Sequence, residues 1–167
     1  EIYKPITERR GHFVAGKFDQ LHRNIPYSAL AAALRDLVRQ LLTESEEHLA
    51  LWRAKILEAV GTNGQLMIDL IRELALIVGP QPSPPKVAPL EAEQRFHRVF
   101  LRFIQVFCRP EHPLVIFLDD LQWADSASMR LLDLLHRGES GITHLLLIGA
   151  YRDNEVQDGH PVALWLR

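Results

Sequence analysis

Two stretches of unbroken apolar sequence, Leu114-Val-Ile-Phe-Leu118 and Leu145-Leu-Leu-Ile-Gly-Ala150, constrain this chain more than any other feature. A strand with one wet face alternates apolar and polar residues, so continuous runs of this length are expected of parallel strands covered on both faces. Between them Met129, Leu131, Leu132, Leu134 and Leu135 mark a helix that Asp125 can cap and the Gly138 region can end. Strand, helix, strand in that order predicts a right-handed crossover in a parallel sheet. The fold class is α/β.

Upstream, His12-Phe-Val-Ala-Gly-Lys-Phe18 reads as a further strand. Parallel strands are thus expected near 12–18, 114–119 and 144–150. The segment between the first two, 28–108, reads as a large helical insertion. Leu30, Leu34, Leu37, Val38, Leu41 and Leu42 recur at helical spacing behind Ser28, placed as an N-cap. Thr43 and Glu46 are spaced as a capping box for a second helix through Leu49, Trp52, Ile56, Leu57 and Val60, closing at Gly61. A third is expected from Gln65 to Val78. A fourth, Leu90 to Cys108, carries Phe96, Val99, Phe100, Phe103, Ile104 and Phe107 on one side and stops at Arg109-Pro110. Four prolines in Pro80-Gln-Pro-Ser-Pro-Pro85 make 80–89 an exposed connector.

A length of 167 residues suits one domain with a core of its own. The net charge of −2, without any sustained basic cluster, argues against a nucleic-acid partner. The single cysteine, Cys108, lies among apolar neighbours and excludes an internal disulfide. The eight histidines are scattered and none pairs with cysteine or acid at metal-ligand spacing, so no zinc site is expected. No apolar run approaches the ~20 residues that span a bilayer, so no membrane partner is expected and the predicted location is cytoplasmic. The chain starts without methionine and stops within what reads as an amphipathic element, so both ends are expected to be cuts.

In an open parallel sheet, ligands gather beyond the carboxyl ends of the strands. After Leu118 come Asp119 and Asp120, and after Ala150 come Tyr151 and Arg152. An acid pair beside a cation is what metal-assisted phosphoryl transfer needs. One carboxylate holds hydrated Mg²⁺, a second acid orients water, and the cation stabilises or senses the γ-phosphate. The bland alternative is a polar strand exit whose Arg152 merely pairs with the acids.

The string Leu114-Val-Ile-Phe-Leu-Asp-Asp-Leu-Gln-Trp-Ala-Asp125 closely resembles the Walker B segment of the STAND branch of P-loop ATPases, signalling relatives of the AAA proteins. Gly149-Ala-Tyr-Arg-Asp-Asn-Glu-Val156 resembles the sensor segment after the fourth strand in bacterial members. Gly11 to Gln20, with Ile25-Pro-Tyr-Ser28, resembles the second-strand region of the ATPase module in large bacterial sensor kinases. There the module lies between a serine/threonine-kinase-like domain and sensory and histidine-kinase domains.

The resemblance implies an ATP-binding and ATP-hydrolysing regulatory module. Asp119 would hold Mg²⁺, Asp120 would polarise water, Arg152 would be the sensor, and all three would contact Mg-ATP. Implied partners are the neighbouring kinase and sensor domains of the same polypeptide, together with nucleotide-dependent self-association. Trp123 and Asp125 belong to the string, but helix packing and capping account for them. Position 120 is aspartate where many P-loop ATPases have glutamate, which shortens the reach to water and leaves slow turnover, or none, open.

Gly11-His-Phe-Val-Ala-Gly-Lys-Phe18 matches the first seven positions of a phosphate-loop motif. Phe18 lacks the hydroxyl that Mg²⁺ needs, His-Phe-Val-Ala prefers a strand, and no helix starts after Lys17. The resemblance places the true loop just before Glu1, with Glu1 to Pro5 as the tail of the helix after it. The three strands would then pair as a contiguous half sheet. Haloacid-dehalogenase phosphatases need a second acid where Leu121 stands, and a receiver domain needs a later lysine that is absent. The closer rival is a nucleotide-gated interaction switch or scaffold without significant turnover.

Overall fold

The computed structural model describes residues 11–22, 24–137 and 141–166. Strands β1 (His12–Lys17), β2 (Leu114–Asp119) and β3 (Leu145–Gly149) form one sheet in the order β1-β2-β3, every pairing parallel. Helix α6 (Ser126–His136) connects β2 to β3, so the strand, helix, strand reading holds. Its start is capped as expected, with the Asp125 carboxylate accepting from the Ser128 amide at 2.8 Å. The Gly138 end of the helix and Glu1 to Pro5 lie outside the described residues.

Among the described residues five α-helices lie between β1 and β2: α1 (Ser28–Leu41), α2 (Glu46–Val60), α3 (Gly64–Leu70), α4 (Ala75–Val78) and α5 (Pro89–Phe107). Helix α1 turns its apolar stripe wholly inward, burying Leu30, Leu34, Leu37, Val38 and Leu41, and packs along β1. Helix α5 buries Val99, Phe100, Phe103, Ile104 and Phe107, as its spacing predicts, while the Phe96 ring lies 4.9 Å from that of Tyr27. Each fully buried phenylalanine adds about 2–3 kcal/mol of apolar burial, so the α5 stripe is a principal part of the core. The Cys108 thiol is enclosed at the end of α5, and desolvation pushes its pKa up to about 12, as befits an inert packing residue.

Several local expectations give way. Ser28 is the first residue of α1 and not its cap. Tyr27 occupies that position in the left-handed region (φ 63°), and no side chain caps the helix. Helix α2 is capped by Ser45, whose hydroxyl accepts from the His48 amide, while the Thr43 hydroxyl donates to the Gln40 carbonyl at the end of α1. The single helix expected over Gln65 to Val78 is broken at Ile71, which takes an extended backbone (φ −131°, ψ 90°). Met67, Ile71, Leu74, Ile77 and Val78 are all buried, and the bend lets both halves face the core while spacing alone reads as continuous.

The burial of the strands follows their place in the sheet. Central β2 hides Leu114, Val115, Ile116 and Leu118. Edge strand β1 alternates, burying His12, Val14 and Gly16. β3, expected to be covered on both faces, is only partly so, with Leu146 51% exposed. Among the described residues β3 has a strand on one side only, and that leaves its apolar side chains half open.

Candidate nucleotide site at the strand-end rim

Parallel pairing brings the carboxyl ends of all three strands to one rim. Lys17, the last residue of β1, is in register with Asp119, the last of β2, and the Phe18 amide donates to the Asp119 carbonyl at 3.1 Å. On the other side the Ala150 amide donates to the Leu118 carbonyl, and the Leu121 amide to the Ala150 carbonyl, each at 2.9 Å. Lys17, Asp119, Asp120 and Arg152 are thereby delivered to one place by backbone hydrogen bonding.

Asp120 breaks the strand direction. Its backbone lies in the left-handed region (φ 53°, ψ 45°), an uncommon state for a residue with a Cβ, though aspartate adopts it more readily than most. The Asp120 amide donates to Asp119 Oδ1 at 2.9 Å, and the turn Leu121–Trp123 follows at once. The result is a carboxylate turned inward, with its side chain 5% exposed.

Both oxygens of that carboxylate face donors. Oδ1 accepts from Gln122 Nε2 at 3.0 Å and from Arg152 Nε at 3.2 Å, and Oδ2 lies 3.0 Å from Lys17 Nζ. Lys17 is the largest influence holding the Asp120 pKa below the ordinary carboxylate value, with Gln122 next, against opposition from desolvation. The same contacts raise the Lys17 pKa, Asp120 contributing before Asp119. Asp119 is more open, its side chain 39% exposed, with Oδ2 3.4 Å from Lys17 Nζ.

Arg152 is held from several directions. Its amide donates to Gln122 Oε1 at 3.2 Å, Nη1 donates to Glu155 at 3.1 Å, and the guanidinium lies 5.0 Å from the centre of the Trp123 ring. The three sequence candidates Asp119, Asp120 and Arg152 are therefore together. Two residues that sequence reasoning left out join them, Lys17 and Gln122. The segment from His12 to Lys17 is a strand, as its composition demands, and not a phosphate loop. Yet the last residue of any strand parallel to β2 reaches this rim, and that was the available signal for Lys17. A separate cleft of about 640 Å³, lined by Lys55, Arg102, Arg109 and His112 among others, includes none of these residues.

The sequence profile of the AAA ATPase domain matches residues 1–148. The chain belongs to the AAA ATPase domain family. Over 126 residues this AAA domain is 41% identical to hybrid signal transduction histidine kinase G of Dictyostelium discoideum, a match covering 74% of the chain and 4% of that relative. No solved structure matches it.

The carboxylates at the rim of the AAA domain are of the kind that suits the magnesium ion the family implies. Magnesium takes hard oxygen ligands, keeps several waters and is commonly held through one or two carboxylates. Asp119 offers a carboxylate half open to water, and the covered Asp120 Oδ2 lies 3.0 Å from the Lys17 ammonium. No described helix of the AAA domain is long and apolar enough to cross a membrane.

Proposed function

We propose that the chain is the nucleotide-binding, ATP-hydrolysing regulatory module of a multidomain signalling kinase of the STAND type. Within this reading residues 1–167 are a single incomplete ATPase domain, 28–108 is its helical insertion, and 80–89 the connector within it. No phosphate-binding loop lies among the described residues. The observation that carries the reading is the convergence of Asp119, Asp120 and Arg152 at the shared carboxyl-end rim of three parallel strands in a chain of the AAA ATPase family. Likeness to a hybrid histidine kinase supports the signalling context, with neighbouring kinase and sensor domains as partners.

Asp119 would hold hydrated Mg²⁺, and Asp120 would orient the attacking water. Arg152, already balanced between Asp120, Glu155 and the Trp123 ring, would turn to the γ-phosphate as sensor. Bound magnesium would neutralise charge developing on the phosphate oxygens.

A second reading, a nucleotide-gated switch without significant turnover, draws on one observation. Asp120 is held by Lys17, Gln122 and Arg152, and a carboxylate with a depressed pKa is a weak base. The test is ATP hydrolysis by a chain extended upstream through a phosphate loop, with Asp120→Asn beside it. Turnover that falls about 10²-fold or more in the variant supports the ATPase. Tight ATP binding with no turnover in either protein supports the switch.

A further inference from the structure

Lys17 ends β1, on the opposite side of β2 from β3 and the Arg152 that follows it. Its backbone is fixed. Gly16 lies so close to α1 that an added Cβ would come within 2.2 Å of the Ala29 carbonyl oxygen, and Phe18 is buried and bonded to β2. Its side chain is not fixed in the same way, being 63% exposed on a four-carbon stem. The ammonium bridges the two carboxylates, 3.0 Å from Asp120 Oδ2 and 3.4 Å from Asp119 Oδ2. Asp119 Oδ1 accepts the Asp120 amide, Oδ2 is the oxygen nearer the ammonium, and Lys17 lies against it.

We propose that Lys17 is the built-in counter-ion of the acid pair, occupying its cation position and yielding that position when magnesium binds. This rests on the reading of Asp119 as the magnesium ligand. Without a cation between them, two adjacent carboxylates, one nearly covered, repel each other. Lys17 supplies a single charge that holds both in place. A divalent ion on Asp119 Oδ2 repels the ammonium a few ångströms away, and the flexible stem lets it swing outward while the β1 backbone stays paired. Lys17 is thus a positioning residue whose release is coupled to metal loading.

The experiment is titration of Mn²⁺, read by electron paramagnetic resonance of the free ion, into the chain without nucleotide. Lys17→Met should tighten Mn²⁺ binding on the order of ten-fold, since a unit charge near a divalent ion is removed. Lys17→Arg should bind as the unaltered chain does. Lys86→Met, the same charge change on the Pro-rich connector, should leave affinity unchanged, and Asp119→Asn should weaken binding with or without Lys17. Thermal unfolding checks that each variant folds. Unaltered affinity in Lys17→Met, with Asp119→Asn still weakening binding, overturns the role of Lys17 and leaves the metal reading standing. Equal tightening by Lys17→Met and Lys86→Met overturns it too, as an effect of net charge. Indifference to Asp119→Asn, or no Mn²⁺ bound by any variant, overturns the metal reading itself.

Discussion

The backbone amide of Tyr27 donates to Asp125 Oδ2 at 3.3 Å, joining residues 98 apart in sequence. Asp125 also caps α6 through the Ser128 amide and accepts from the Ser128 hydroxyl. One carboxylate therefore ties the start of α1 to the start of the helix that follows the acid pair. Asp125→Ala should cost about 1–2 kcal/mol of stability, measured by urea unfolding, and Asp125→Asn should recover most of it.

Two glycines near the rim should respond unequally to alanine. At Gly16 the new Cβ would meet the Ala29 backbone carbonyl, which cannot move without shifting α1. At Gly149 it would meet Leu121 Cδ1, the end of a side chain that can change rotamer. Gly16→Ala should cost about 1–3 kcal/mol by overpacking, and Gly149→Ala less, as read by thermal midpoints.

His12 is buried among the rings of Trp52, Phe107 and His112, and its Nε2 has no hydrogen-bond partner among the described residues. Desolvation, then the charge of His112, lowers its pKa from the ordinary 6.5, against weaker opposition from Gln40 and Glu44. The unfolded chain therefore takes up a proton before the folded one does. Stability from this group is complete above pH 6.5 and declines as pH falls from there towards the folded value. His12→Phe should flatten that part of the curve in denaturant titrations across pH. The depressed pKa of Asp120 acts in a separate window, its contribution being present above the ordinary aspartate value and lost on further acidification.

Arg152 should matter to chemistry more than to folding, because its side chain is half exposed and its partners lie at the rim. In a chain carrying a phosphate loop, Arg152→Ala should lower ATP turnover about 10²-fold, with a much smaller change in ATP affinity and little change in thermal midpoint. Arg152→Lys should not restore the rate, since an ammonium cannot reproduce a guanidinium that donates from Nε and Nη1 while resting on Trp123.

The sheet was legible because apolar runs and helical spacing are local properties. Leu114 to Leu118 read as a covered strand, and the residues at the exit of such a strand reach a rim. Asp125 was legible as a cap for the same reason, the bond closing within three residues. Ser28 and Thr43 misled, because capping residues are common near helix starts and only the path of the chain selects among them. The bend at Ile71 was silent, since an extended β-branched residue inside an apolar repeat leaves the repeat intact.

By itself the sequence determined the three strands and every long helix save the break at Ile71, that the sheet is parallel, and that Asp119, Asp120 and Arg152 leave it at the same end. Tertiary structure decided the register of the strands, how far β3 is covered, and that Lys17 closes the acid pair from the side opposite Arg152. The physical reason is range. Periodicity and capping act over a few residues, whereas the 3.0 Å approach of Lys17 to Asp120 depends on the pairing of strands separated by five intervening helices.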